Sequence, residues 1–394
     1  MHRRAWTLLV GIAATMGVLA FVVSYLYDRP LLDPEGSFLG PTWLRLPLLL
    51  LGALLLDLLP RTLWFSRGNP KAMPGIVRER LRTHWDRDRL TLVALGVFCF
   101  YITYVSYRNL KSVLPEVIDT KYDRELHLVD RVLMFGGDPS DVLHAVLGTG
   151  ISAHVLSYIY LWFLPLVPIA LTAWLVFPKN LSYGYWFATS QCIAWTLGTL
   201  SYYLLPTLGP GFEYSAKYKD VVDAGTPSGD LMDSLSNSRA TVLSQLEGAE
   251  GLVNSVAGFA SLHTAITLLV ALMVQFTLQS RTLKIVFWVN FGITVVATLY
   301  FGWHYILDDV AGIFIAFVAF YVGGWPAVRS SSAAACAPTP RRRPTRSRST
   351  AEVLTDPASP RPRLPARGVI RLRARPARGP YDVPTARATR MTSL

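Results

Sequence analysis

Apolar residues in this chain come in long runs separated by short polar and charged interruptions. Runs close to the roughly 20 residues that a helix needs to cross a bilayer fall at 6–27, 41–63, 90–107, 153–177, 183–205, 256–278, 284–301 and 305–325. The pattern predicts an all-α integral membrane protein with about eight transmembrane helices, the third and seventh being the shortest. The first run follows His2, Arg3 and Arg4 and has no small-residue cleavage site, so it reads as a retained span. Two long connections carry weaker patterns. "DRELHLVDRVLMFG" has apolar residues at helical spacing and is expected to lie along the membrane surface. "GGDPSDVLHAVLG" reads as a turn and then a helix starting near Ser140 or Asp141, and "DAGTPSGDLMDSLSNS" reads as a polar loop.

The charges between the runs orient them. The 66–89 connection holds Arg67, Lys71, Arg78, Arg80, Arg82, Arg87 and Arg89 against Glu79, Asp86 and Asp88. Lys179 lies in the fourth connection, and Arg281 and Lys284 in the sixth. With eight spans these connections, both termini included, share one side, which is the cytoplasm by the positive-inside rule. The 28–40, 108–150 and 206–255 connections are neutral or acidic and belong outside. A plasma-membrane protein with cytoplasmic termini is the expectation.

Composition sharpens one region. The residues from Arg329 onward contain 15 arginines, no lysine and three acids, so they account for the whole net charge of +12; the preceding 328 residues hold 23 basic and 23 acidic side chains. This Pro-, Arg- and Ser-rich stretch is expected to be disordered, to set topology and to bind anionic lipid, with no nucleic-acid partner expected. The chain therefore divides into 1–88 (two spans and a basic loop), 89–328 (a membrane catalytic domain) and 329–394 (the tail). Cys99, Cys192 and Cys336 show no disulfide or metal spacing.

Two short motifs could carry chemistry. In "GWHYILDD", His304 and Asp308 are four apart and share a helix face. A carboxylate there can accept the imidazole Nδ1–H and leave Nε2 as nucleophile or base. In "GFASLHT", Ser261 can cap the helix that follows, whose first N–H groups form an anion site. His263 beside it can donate a proton to a leaving oxygen. Each motif alone is equally consistent with an ordinary His–Asp pair or a Ser cap. The loop charges, however, place both at the outer ends of their spans, at one membrane depth. Asp309 has no role legible from the sequence.

"ASLHTA" followed by "HYILD" resembles the second and third signature motifs of the phosphatidic acid phosphatase type 2 superfamily. "VLMFGGDPSDVL", "SYIYLWFLPLVPIAL", "YYLLPTLGPGFEY" and "ATLYFGWHYILDDVAG" are similar to its inositolphosphotransferase branch, which includes the inositol phosphorylceramide synthases. The resemblance spans roughly 105–325 and implies a six-helix catalytic core. It implies that His304 attacks phosphorus, Asp308 orients it, His263 protonates the leaving group, and Ser261 with nearby N–H groups holds phosphate oxygens. No metal or cofactor is implied; the partners are a lipid-linked phosphate and an alcohol or water acceptor. The sequence departs from the family at Ala260, where proline is usual, and at Thr298, where the phosphatase branch has an arginine. The first phosphatase motif is absent. Arg108 and Lys111 in "YRNLKS", and Lys217 and Lys219 after "LGPGFEY", are the candidate replacement cations. The dense aromatics near the outer edge, among them Tyr107, Tyr202, Tyr300, Trp303 and Tyr305, are expected to be mostly interface anchors.

The expectation is headgroup transfer through a phospho-histidine at the outer leaflet. Its rivals are a lipid or polyprenyl phosphate phosphatase, a transporter-like or structural membrane protein, and a serine hydrolase, which lacks the G-x-S-x-G elbow around Ser261.

Overall fold

In a computed structural model that describes residues 3–33, 42–67, 69–244 and 258–335, the chain is helical wherever it is regular. The helices are α1 (Arg3–Leu26), α2 (Thr42–Ser66), α3 (Met73–Thr83), α4 (Arg87–Val117), α5 (Asp123–Leu133), α6 (Pro139–Leu147), α7 (Ile151–Val176) and α8 (Leu181–Leu204). The short α9 (Pro210–Glu213) and α10 (Lys219–Val222) follow, separated by a 3-10 turn at Ser215–Tyr218. Then come α11 (Pro227–Ser244), α12 (Leu262–Thr277), α13 (Arg281–Tyr300) and α14 (Ile306–Ala335). No strand occurs among the described residues. All of them belong to one unit, Met1–Pro338.

Among the described residues six helices are long and apolar enough to cross a membrane: α1, α2, α4, α7, α13 and α14. The two other expected spans differ for physical reasons. α12 is apolar but has only 16 residues. α8 has 24 residues, many of them Gly, Ser, Thr or Gln, and lies at the centre of the bundle against α14, α4, α1 and α7. A helix surrounded by protein needs no lipid-facing hydrocarbon, so its mean hydropathy falls.

Three boundaries depart from the pattern. α4 runs on to Val117 instead of ending near 107, so Arg108 and Lys111 lie within the helix. The segment read as a polar loop is mostly helix α11. Pro227 suits its first turn, Thr226 Oγ1 accepts from Gly229 N at 3.1 Å, and Leu231, Met232 and Leu235 join the apolar cluster that includes Tyr160 and Trp303. α14 continues to Ala335, past the expected domain boundary at 328. The remainder of the expected tail, 336–394, lies outside the described residues, as does 245–257 of the sixth connection.

At the end of the bundle far from the two motifs, Arg89 is buried and donates to the carbonyls of Leu175, Val176 and Pro178. It thus supplies donors, and a positive charge, where α7 leaves its last carbonyls unpaired.

Candidate functional site

The turn between α13 and α14 presents His304. Gly302 makes the turn possible: its φ is +68°, and a Cβ there would collide with the Tyr218 ring. His304 Nδ1 lies 3.3 Å from Asp308 Oδ2, which also accepts the Tyr305 N–H at 2.9 Å. Asp308 is fully buried, and its Oδ1 finds no hydrogen-bond donor among the described residues. The His304 ring is the side chain that this carboxylate contacts.

The start of α12 lies against this turn. Ser261 N donates to Asp308 O at 2.9 Å, and Ser261 Oγ accepts from Thr264 N at 3.3 Å as the expected cap. Ser261 has no exposed surface, and its hydroxyl donates to Thr264 Oγ1 at 3.2 Å, so both ends of the hydroxyl are spent on the cap. His263, in the first turn, faces the other way, into a column of rings. It stacks on Tyr160 at 4.2 Å between centroids, and Tyr160 stacks on Trp303 at 5.2 Å. Phe163 closes the side at 4.0 Å. The His263 and His304 ring centroids are 6.4 Å apart, too far for a direct hydrogen bond and wide enough for a phosphoryl oxygen between them.

Asp309, unassigned from the sequence, joins the two motifs. Its Oδ1 accepts from Thr264 Oγ1 at 2.5 Å and its Oδ2 from Thr298 Oγ1 at 2.9 Å. All three residues are buried. Thr298, the position of the expected arginine, thus binds α13 to α14 and α12. Replacing Asp309 with alanine leaves the buried Thr264 hydroxyl without its acceptor, at a cost of about 1–3 kcal/mol, while Thr298 Oγ1 keeps the Val295 carbonyl at 2.6 Å. The thermal midpoint in detergent should fall, and Asp309→Asn, which keeps one acceptor oxygen, should recover part of it. An unchanged midpoint for Asp309→Ala would show that the clamp carries no load.

Two further carboxylates were missed, both on α5. Asp123 accepts from Leu208 N and Gly209 N, each at 3.0 Å, and from the Tyr305 hydroxyl at 3.0 Å. It ties the 206–210 loop to the residue after His304. Gly209 has φ +98° there, and a Cβ would strike the Trp303 carbonyl. Asp130 accepts from Ile306 N at 3.1 Å and so caps α14. Burial is the main cause that raises the Asp130 carboxyl, to about 7; the Ile306 N–H opposes it, and Asp308 and Asp309 add to it. Burial also raises Asp123, against its backbone donors. A signal existed: Asp123, Leu126 and Asp130 fall on one helical stripe, and all three are buried.

The candidate cations separate. Lys111 lies over the rings of Tyr107 and Tyr202, at 5.9 and 5.5 Å, close enough for its charge to act on His263. Arg108, one turn earlier on α4, is half-buried and close to Lys111. Lys217 instead pairs with Asp138 and, at 2.9 Å, with Asp141. Its ammonium is already neutralised by two carboxylates, so the structure does not offer it as a free phosphate ligand. The aromatics expected at the membrane interface are largely inside: Tyr107, Tyr202, Tyr300, Trp303 and Tyr305 are buried. A small cleft lined by His127, Asp130, Asp138, Pro210, Tyr218 and Tyr305 reaches His304 from the α5–α6 side. Among the described residues, no group of three or more His, Cys, Asp or Glu side chains could hold a metal ion.

Residues 124–322, about half of the chain, match the sequence profile of the PAP2 superfamily. No curated protein and no solved structure gives a match.

Proposed function

The chain belongs to the PAP2 superfamily, and from that premise we propose that it is a membrane phosphotransferase of the inositolphosphotransferase type. It moves the phosphoryl headgroup of a lipid to an alcohol through a phospho-histidine. Superfamily membership supports phosphatase-type phosphoester chemistry. The observation that carries the finer reading is the His304–Asp308 pair, held 6.4 Å from a second histidine at a helix N-terminus.

The steps follow from the geometry. With Nδ1 on Asp308, His304 presents the lone pair of Nε2 to phosphorus. The N–P bond forms as the bond from phosphorus to the lipid oxygen breaks, and His263, protonated once the anionic phosphoester lies beside it, gives its proton to that oxygen. The acceptor hydroxyl then loses its proton to His263 and attacks phosphorus. The N–P bond breaks, and both histidines return to their starting state. Lys111 and the first N–H groups of α12 balance the charge on the phosphoryl oxygens. Ser261 serves them indirectly, by capping the helix that presents them.

If α8 and α12 are counted with the six long apolar helices, the positive-inside rule supports a site on the extracytoplasmic side. The plasma membrane is the location that fits this reading. Transfer is favoured over hydrolysis by Thr298, which replaces a phosphate-binding cation with a clamp residue, and by the 206–210 loop that Asp123 fixes beside Tyr305.

The test is a partition. Purified protein is given a panel of lipid phosphates and phosphoinositides labelled in the headgroup, with and without an alcohol acceptor. Transfer predicts label in a new product that requires the acceptor. Label appearing only as water-soluble phosphate would support the phosphatase reading instead. Neither product from any lipid would favour the transporter-like reading.

A further inference from the structure

We propose that a groove between α2, α4, α7 and α8 is the binding site for one hydrocarbon chain of the lipid substrate, with the chain's own N-terminal helices forming one wall. The proposal rests on the reading of His263 and His304 as the phosphoryl-transfer pair. The groove is lined by Leu46 of α2, Phe100 and Tyr104 of α4, Phe163 and Val167 of α7, and Trp195 of α8, and no charged residue lines it. A headgroup would find no counter-charge there, whereas methylene groups would find an apolar wall.

The groove is continuous with the site through two shared rings. Phe163 lines the groove and also packs on His263 at 4.0 Å. Trp195 lines it and packs on Tyr107 at 4.7 Å, and the Tyr107 ring carries Lys111. The helices also descend from the site in register. On α4, Tyr104 and Phe100 precede Lys111 by seven and eleven residues, about 10 and 16 Å at the helical rise. On the antiparallel α7, Val167 lies seven residues beyond Tyr160, again about 10 Å. A phosphoester held between His263 and His304, on the Lys111 side of the bundle, therefore has the groove open to its chain, toward the middle of the bundle. Leu46, Phe100 and Tyr104 lie outside the 124–322 match, so this wall is supplied by helices that the family profile does not cover.

The test uses a photoactivatable phosphatidic acid bearing a diazirine in mid-chain, crosslinked to the full-length protein in liposomes and mapped by mass spectrometry. Label concentrated on the α4 and α7 peptides that line the groove, and lost in Leu46→Trp and Val167→Trp, is the expected result. Label spread evenly over all lipid-facing helices, or unchanged by both substitutions, would overturn the proposal. A second readout compares long- and short-chain substrates: the two tryptophan variants should lose about tenfold or more in kcat/KM for the long chain and little for the short one. Equal losses for both would also count against the groove. The crosslinking arm needs no turnover. Groove labelling that persists in a protein whose activity is indifferent to His304→Ala would leave the groove standing and the catalytic reading refuted.

Discussion

Replacing His304 with alanine should lower phosphoryl transfer by about 10⁴-fold or more, because it removes the atom to which phosphorus becomes bonded. The local fold should survive. Asp308 still accepts the Tyr305 N–H at 2.9 Å, and Asp130 still caps α14 through Ile306 N. Asp308→Asn should be severe for a different reason. Its side chain is the same size, but an amide can offer the imidazole the wrong hydrogen-bonding partner and carries no charge to balance a positive ring; changes of this kind cost about 10⁴ in related His–Asp systems. Initial rates with a labelled lipid, alongside size-exclusion profiles that verify folding, measure both. Residual activity within about tenfold of the wild type in His304→Ala would exclude covalent catalysis at this position.

Replacing His263 with glutamine should lower the rate by about 10² to 10⁴-fold with a natural lipid, the usual contribution of a positioned general acid. The ring column makes the outcome informative. Tyr160 and Phe163 hold the imidazole plane at 4.2 and 4.0 Å, and glutamine fills much of that space without being able to carry a proton. An aryl phosphate with a good leaving group does not need that proton. His263→Gln should therefore form the covalent intermediate from such a substrate at close to the normal rate, and stall afterwards, when the acceptor must be deprotonated. If the variant is equally slow with the lipid and the aryl phosphate in the first step, His263 has a structural role and not an acid's role.

The parts of the molecule legible in the sequence were those set by local pattern. The apolar runs located every long helix that carries the site, Ser261 caps α12 as expected, and His304 contacts Asp308, although His304 lies in the turn before α14 and not on the helix face that the four-residue spacing suggested. What was not legible depends on contacts distant in sequence. Asp309 looked idle because its partners, Thr264 and Thr298, lie on two other helices. Asp123 reaches 182 residues along the chain to Tyr305. α11 was hidden because its few apolar residues are diluted by Ser, Asp and Asn, and its stability comes from packing on α7 and from Ser228, whose N–H donates to Ser157 and whose hydroxyl accepts from Trp303 Nε1. Lys217 looked like a phosphate ligand because its two carboxylate partners, Asp138 and Asp141, come from the distant α6 turn.

These differences change how the site is held more than which atoms react. The two histidines are fixed from behind by carboxylates. Asp308 holds His304, Asp309 clamps the helix that bears His263, and Asp123 and Asp130 hold the Tyr305 hydroxyl and the Ile306 N–H that follow His304. Preorganisation of this kind keeps reacting groups in line without reorganisation during the reaction.

The most direct measurement is to trap the intermediate. Protein mixed with a phosphorus-labelled lipid is quenched in alkali within the first turnover and digested, and the labelled peptide is sequenced by mass spectrometry. The account predicts an acid-labile, alkali-stable phosphoramidate on His304, absent in His304→Ala and accumulating in His263→Gln with the aryl phosphate. Turnover that proceeds with no labelled histidine, or with label on Ser261, would contradict it.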